Sequence, residues 1–197
     1  MAPQLYLITP ATTDPETFPA TLMAVLDVAE FSALLVRRGA LDDAAYAKLA
    51  ANLVNVGQGA GCAVLVEDDV ALAKRLGADG VHVTGSAKAV KDAVAALKPN
   101  LIVGAGNIGN RHDAMTAGEM DVDYLFFGPL DGIHDATAAE LAEWWASTFE
   151  IPAVLSDPDA GVDGRGAEFL ALSTSIWAAA SPAAAAAAIV NAIGETA

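Results

Sequence analysis

Eight short apolar runs recur along the chain at nearly even spacing, and the stretches between them carry a different period. The runs are LYLI (5–8), SALLVR (32–37), CAVLV (62–66), GVHV (80–83), LIVG (101–104), YLFF (124–127), PAVL (152–155) and FLALS (169–173). They are near-continuous rather than alternating, as parallel strands covered on both faces are. Their starts run from residue 5 to residue 169, roughly 23 residues per step, which leaves room for one strand, one helix and two short loops. The intervening segments have helical spacing: Ala45, Leu49 and Leu53 share one face, as do Val90, Val94 and Leu97. Asp42, Ser86 and Ser181 mark helix starts, the last with Pro182 in the first helical position. Strand alternating with helix eight times predicts an α/β fold, a single (β/α)8 TIM barrel over residues 1–197, near the roughly 200-residue lower limit of that architecture. A doubly wound open sheet has the same alternation, because periodicity does not report closure.

Three helix-to-strand joints are built alike. RLGADGVHV (75–83), MDVDYLFFGP (120–129) and RGAEFLALSTS (165–175) each place an acidic residue just before an apolar run. In a barrel, Asp79 and Glu168 then lie at the face where strands begin, which serves stability.

Composition removes several partners. The net charge of −15 repels phosphate backbones and anionic lipid, so no nucleic acid is expected. No membrane is expected either, since the apolar content is largely alanine and no run approaches the ~20 strongly apolar residues of a spanning helix. A single cysteine, Cys62, rules out an intrachain disulfide and a cysteine metal cluster. With no basic, cleavable leader in MAPQLYLITP, a cytoplasmic location is the expectation.

Barrel chemistry sits where strands end, so candidate site residues are those that follow the apolar runs. These are Arg37 and Arg38, Glu67-Asp68-Asp69, His82 and Thr84, Asn107, Gly128 to His134, Ser156, Asp157, and Thr174-Ser175. Each has a plainer reading too. His82 is either a reactive group or a packed, hydrogen-bonded residue. The acidic triplet is either a metal site or a helix start favoured by the helix dipole. Arg37 and Arg38 point to opposite faces of a strand, so only one reaches the barrel mouth. His134 with Asp131 and Asp135 is a metal site, an acid–base pair or a solvated loop. Trp144 and Trp145 pack against the sheet or against a partner subunit, which leaves a homodimer open.

In their order, LYLIT, LLVR, LVEDDVALAKRLGADGVHV, DYLFFGPL and GAEFLALSTSIW resemble the thiamine phosphate synthase family, which includes the thiazole tautomerases. The similarity runs over nearly the whole chain. The resemblance implies a barrel that joins a pyrimidine pyrophosphate to a thiazole phosphate with Mg2+, and hence a phosphorylated small-molecule ligand. By position it implies that Arg37 contacts pyrophosphate, that Asp68 binds Mg2+, that Gly128-Pro129 form the turn after strand six, and that Thr174 and Ser175 hold the thiazole phosphate. Arg37 and His82 are the expected catalytic residues.

The departures cluster at the site. The family's strand-two glutamine and lysine fall at Leu35 and Gly39, its Asn-Asp-Arg triplet is Glu67-Asp68-Asp69, and its second magnesium aspartate is lost in TGSA (84–87). DGIHDA replaces a threonine-rich, lysine-ending loop, and SDP replaces a phosphate-cradling glycine pair. Each lost charge-assisted phosphate contact forfeits about 1.5–3 kcal/mol. Synthase activity is therefore expected to be weak or lost, with Arg38 or Arg165 as the available substitute cations. The other expectations are a tautomerase-like isomerase and a non-catalytic or regulatory phosphate-ligand-binding barrel.

Overall fold

The computed structural model describes residues 2–131, 135–156 and 164–196. Eight parallel strands close into a barrel in sequence order. They are β1 (Gln4–Ile8), β2 (Ala33–Val36), β3 (Ala63–Glu67), β4 (Gly80–Val83), β5 (Ile102–Ala105), β6 (Tyr124–Phe127), β7 (Ala153–Ser156) and β8 (Phe169–Leu172). Closure is set by β8 pairing with β1, Leu5 opposite Leu170 and Leu7 opposite Leu172, and it excludes the open sheet. Around the barrel lie α1 (Phe18–Leu26), α2 (Asp43–Gly59), α3 (Val70–Leu76), α4 (Ala87–Leu97), α5 (Arg111–Gly118) and α6 (Ala136–Thr148), with α7 (Thr174–Trp177) and α8 (Pro182–Thr196) after β8. Between β7 and β8 no helix is described. No helix among the described residues is long and apolar enough to cross a membrane.

Near-continuous apolar strands arise here because both faces are covered. One parity of each strand packs under the helices, as with Leu34 and Val36, Val64 and Val66, or Leu125 and Phe127. The other parity fills the barrel with Tyr6, Ile8, Ala33, Leu35, Leu65, Tyr124, Phe126, Val154 and Ala171. Helices begin where side-chain acceptors meet free N–H groups: Asp42 accepts from Ala45, and Ser86 from Ala89. Trp145 is buried and donates its indole N–H to the Ile151 carbonyl at 2.8 Å, so it packs within the chain. Trp144 lies under the Arg111 guanidinium, 4.5 Å from its ring centre.

The acidic residues at the three joints are strand clamps. Asp79 accepts from the Val64 N–H at 2.7 Å, Asp123 from Val103 at 2.7 Å and Glu168 from Ala153 at 2.8 Å. In each case the carboxylate before an even-numbered strand satisfies a backbone donor at the start of the preceding odd strand. Asp123 also pairs with Lys98 at 2.6 Å. Before β2, the Ser32 hydroxyl donates to the Gln4 side-chain carbonyl at the start of β1, at 2.6 Å. The repeated joint thus anchors the face where the strands begin.

Candidate functional site

Strand parity decides which residues reach the mouth. Ala33 and Leu35 point into the barrel, so Arg37 continues inward from β2. Its N–H donates to the buried Thr9 hydroxyl at 2.9 Å, and its Nε is buried with no partner among the described residues. Arg38 turns outward: it pairs with Asp43 and lies over the Tyr46 ring, 5.7 Å from its centre. Arg165 precedes β8, at the opposite face, and pairs with Glu143 at 3.4 Å. Neither arginine stands at the mouth as a substitute cation.

The acidic triplet is committed to the loops around it. Glu67 accepts from the Arg38 N–H at 2.7 Å, and Asp69 caps α3 by accepting from Leu72 at 2.8 Å. Asp68 adopts a left-handed backbone, φ 53°, and its carboxylate accepts both the N–H and the hydroxyl of Thr84, the former at 2.8 Å. It therefore ties the β3–α3 loop to the β4–α4 loop. Among the described residues no group of three or more His, Cys, Asp or Glu side chains converges as a metal site. By itself the donor set offers a cation one carboxylate, Asp68, whose oxygens accept from Thr84.

His82 sits inside the barrel, fully buried, opposite Glu67 in the β3–β4 register. Its Nδ1 lies 2.9 Å from the Tyr124 hydroxyl, which lies 2.9 Å from the Tyr6 hydroxyl. Burial holds His82 down to about 4, against a weaker upward pull from Asp68, so the imidazole is neutral at neutral pH. Nε2 is buried and has no partner among the described residues. Burial also raises both tyrosines, Tyr6 and Tyr124, well above the ordinary phenol range, so both remain protonated.

A second cluster forms across β6, β7 and β8. Gly128 has φ 102°, and a Cβ there would stand 3.0 Å from the Ser156 Cβ, so the turn requires glycine. Ser156 donates to the Pro129 carbonyl at 2.8 Å. Thr174 donates its hydroxyl to the Asp131 carbonyl, which joins the loop after β6 to the loop after β8. Ser175 Oγ is buried without a partner among the described residues. His134 and Asp157 lie outside the described residues. Asn107, with φ 58°, lines a cavity of about 340 Å³ between α4 and α5, with Gly85, Ser86, Gly106, His112 and Asp113.

Sequence reasoning passed over Thr9, Tyr6, Tyr124, Gly104 and Gly106. Gly104 on β5 and Gly106 just after it share one parity; a Cβ at Gly104 would fall 1.9 Å from Tyr124 Cζ and one at Gly106 would fall 2.7 Å from His82 Nε2. Paired glycines two residues apart in a strand are a legible sign of large inward neighbours.

The family model and the curated relatives agree on one family. Residues 5–156 match the family model described as thiamine monophosphate synthase. The thiamine-phosphate synthase of Hyphomonas neptunium is 35% identical over 190 residues, covering 88% of this chain and 86% of that one. That of Rhodospirillum centenum is 33% identical over 184 residues, covering 88% and 89%. Among solved structures, a thiamine phosphate pyrophosphorylase from Pyrococcus furiosus superposes with a TM-score of 0.81 at 21% identity, covering 98% of this chain and 96% of that one, a likeness of fold.

Proposed function

The chain belongs to the thiamine monophosphate synthase family, and on that premise we propose that it binds a phosphorylated thiazole- or pyrimidine-type small molecule at the C-terminal face of the barrel, with coupling of the two family substrates weak or lost. One observation carries the binding reading. Arg37 Nε, His82 Nε2 and Ser175 Oγ are buried without partners among the described residues; Arg37 follows β2, His82 lies near the end of β4, and Ser175 lies in α7, just after β8. Buried polar atoms are nearly always paired, so three such atoms toward one end of a barrel match the acceptors of a polar ligand. Arginine suits phosphate in particular, and donors at contact distance act where the net charge of −15 is secondary.

The weak-coupling reading is supported by what stands at the family's donor positions. Leu35, where the family has glutamine, is fully buried in the barrel's apolar interior. Gly39, where it has lysine, has φ 56°, and a Cβ there would lie 1.8 Å from the Ala11 carbonyl oxygen. The loop path therefore admits no side chain at that position. Asp69, where the family's triplet has arginine, caps a helix. Departing pyrophosphate needs preorganised cations and donors, usually the largest share of such catalysis. Mg2+ in this reading enters on the ligand's phosphates, with Asp68 as one protein carboxylate, since magnesium sites commonly combine one or two carboxylates with phosphate oxygens.

The test is calorimetric titration with the thiazole phosphate. Saturable one-site binding is expected, weakened about 10- to 150-fold by Arg37→Ala, the equivalent of one charge-assisted contact of about 1.5–3 kcal/mol. Absence of binding by the wild-type protein would overturn the reading.

A further inference from the structure

The hydrogen-bonded chain inside the barrel has two ends of different character. At one end, Tyr6 and Tyr124 line a cavity of about 220 Å³ at the opening where strands begin, walled by Ala33, Leu65, Val154 and Phe169. At the other, His82 Nε2 is buried beside Gly106, just past the end of β5. The ring itself is held: it stacks on Tyr124 at 9° between planes, and Phe126 meets it edge-on at 5.1 Å. Gly104 and Gly106 supply the space for the Tyr124 hydroxyl and for Nε2.

Two proton arrangements satisfy the inner bonds. In the first, Tyr6 donates to Tyr124, Tyr124 donates to Nδ1, and the imidazole carries its proton on Nε2. In the second, every bond is reversed, and the unpaired donor becomes the Tyr6 hydroxyl in a largely apolar cavity. An unpaired buried donor costs about 1–3 kcal/mol. Both arrangements leave one buried donor: the first puts it on Nε2, toward the strand ends, where the proposed ligand's acceptor would meet it, and the second puts it on Tyr6, in the cavity walled by Leu65 and Val154. We propose that Tyr124 is a positioning residue that fixes His82 as the Nε2–H tautomer and so presents a neutral N–H donor to an acceptor atom of the bound ligand. Which nitrogen carries the proton follows from the bond made by the other. The choice of Nε2–H over Nδ1–H and the ligand-facing role both rest on the proposed phosphorylated-ligand reading, whereas the dependence of the tautomer on Tyr124 does not.

The experiment uses the full chain labelled with 15N, whose imidazole spectrum contains three histidines. His82 is identified by loss of its signals in His82→Asn. The ligand-free wild-type protein should show His82 as a single neutral tautomer with the proton on Nε2. Tyr124→Phe should lose that selection, with both ring nitrogens moving toward averaged shifts. Tyr6→Phe should retain the Nε2–H pattern, because Tyr124 still donates to Nδ1. An Nδ1–H tautomer in the wild-type protein overturns the proposal without recourse to any variant, and so does an unchanged tautomer pattern in a folded Tyr124→Phe. Inorganic pyrophosphate is then added: a further shift at Nε2 supports the ligand-facing role. Failure of pyrophosphate and of the thiazole phosphate to bind at all overturns that role together with the ligand reading, and leaves the tautomer measurement standing.

Discussion

Acidification should destabilise this protein through His82 in a defined window. The imidazole is fully buried and takes up its proton at about 4 in the folded chain against 6.5 for the ordinary group. Between those values the unfolded chain binds more protons than the folded one, so stability rises with pH and is lost as pH falls from about 6.5 toward 4. The slope is about 1.4 kcal/mol per pH unit, which over the window amounts to about 3 kcal/mol. In a domain of this size that corresponds to a fall in Tm on the order of 10 °C. Urea denaturation of the wild-type protein and of His82→Asn, at several pH values between about 7.5 and 4.5, isolates the contribution. The asparagine amide oxygen can still accept the Tyr124 hydroxyl, while the titrating group is gone. The difference between the two proteins should change by about 1.4 kcal/mol for each pH unit below 6.5. Parallel stability curves would refute the reasoning, because they would mean that the ring is solvated or already charged in the fold.

Further perturbations have equally definite outcomes. Asp123→Ala removes the acceptor of the Val103 N–H and the partner of Lys98; a loss of about 2–3 kcal/mol is expected in urea denaturation, and a change below about 0.5 would contradict the strand-clamp role. Gly39→Lys, which restores the family's residue, should destabilise the fold by at least about 1–2 kcal/mol from backbone conformation alone and give no gain in product formation, whereas a stable, faster variant would show that the loop can be rebuilt. Titration with magnesium should give heat at Asp68 only with pyrophosphate present, and equal heats with and without it would count against a ligand-borne cation. Asp68→Ala should abolish that heat, and it should lower stability without any ligand, since Thr84 loses both its contacts.

Local chemistry was the legible part of the sequence. The runs GVHV and YLFF coincide with β4 and β6, and the other strands differ by a residue or so at their ends. Parity alone separated Arg37 from Arg38. The caps at Asp42 and Ser86 were readable because a cap and its N–H are three residues apart. What escaped were partners distant along the chain. Tyr6 and Tyr124 are 118 residues apart, and His82 and Tyr124 are 42 apart; nothing in spacing announces a bond that only barrel closure creates. Asp68 was singled out because it follows a strand, and its contacts with Thr84, sixteen residues on, were not legible from that position. The acidic joints were recognised as a repeat, while their purpose needed the neighbouring strand's free N–H.

The central claim is a family barrel that holds a phosphorylated ligand and has given up efficient coupling. The direct measurement is the rate of thiamine phosphate formation from the family's pyrimidine pyrophosphate and thiazole phosphate with magnesium, run beside the Hyphomonas neptunium relative under the same conditions. Two missing donors, each worth about 2.7–4 kcal/mol, predict a rate lower by about 10⁴- to 10⁶-fold. A rate within tenfold of the relative's would contradict the account and make this chain a working synthase with a rearranged set of donors.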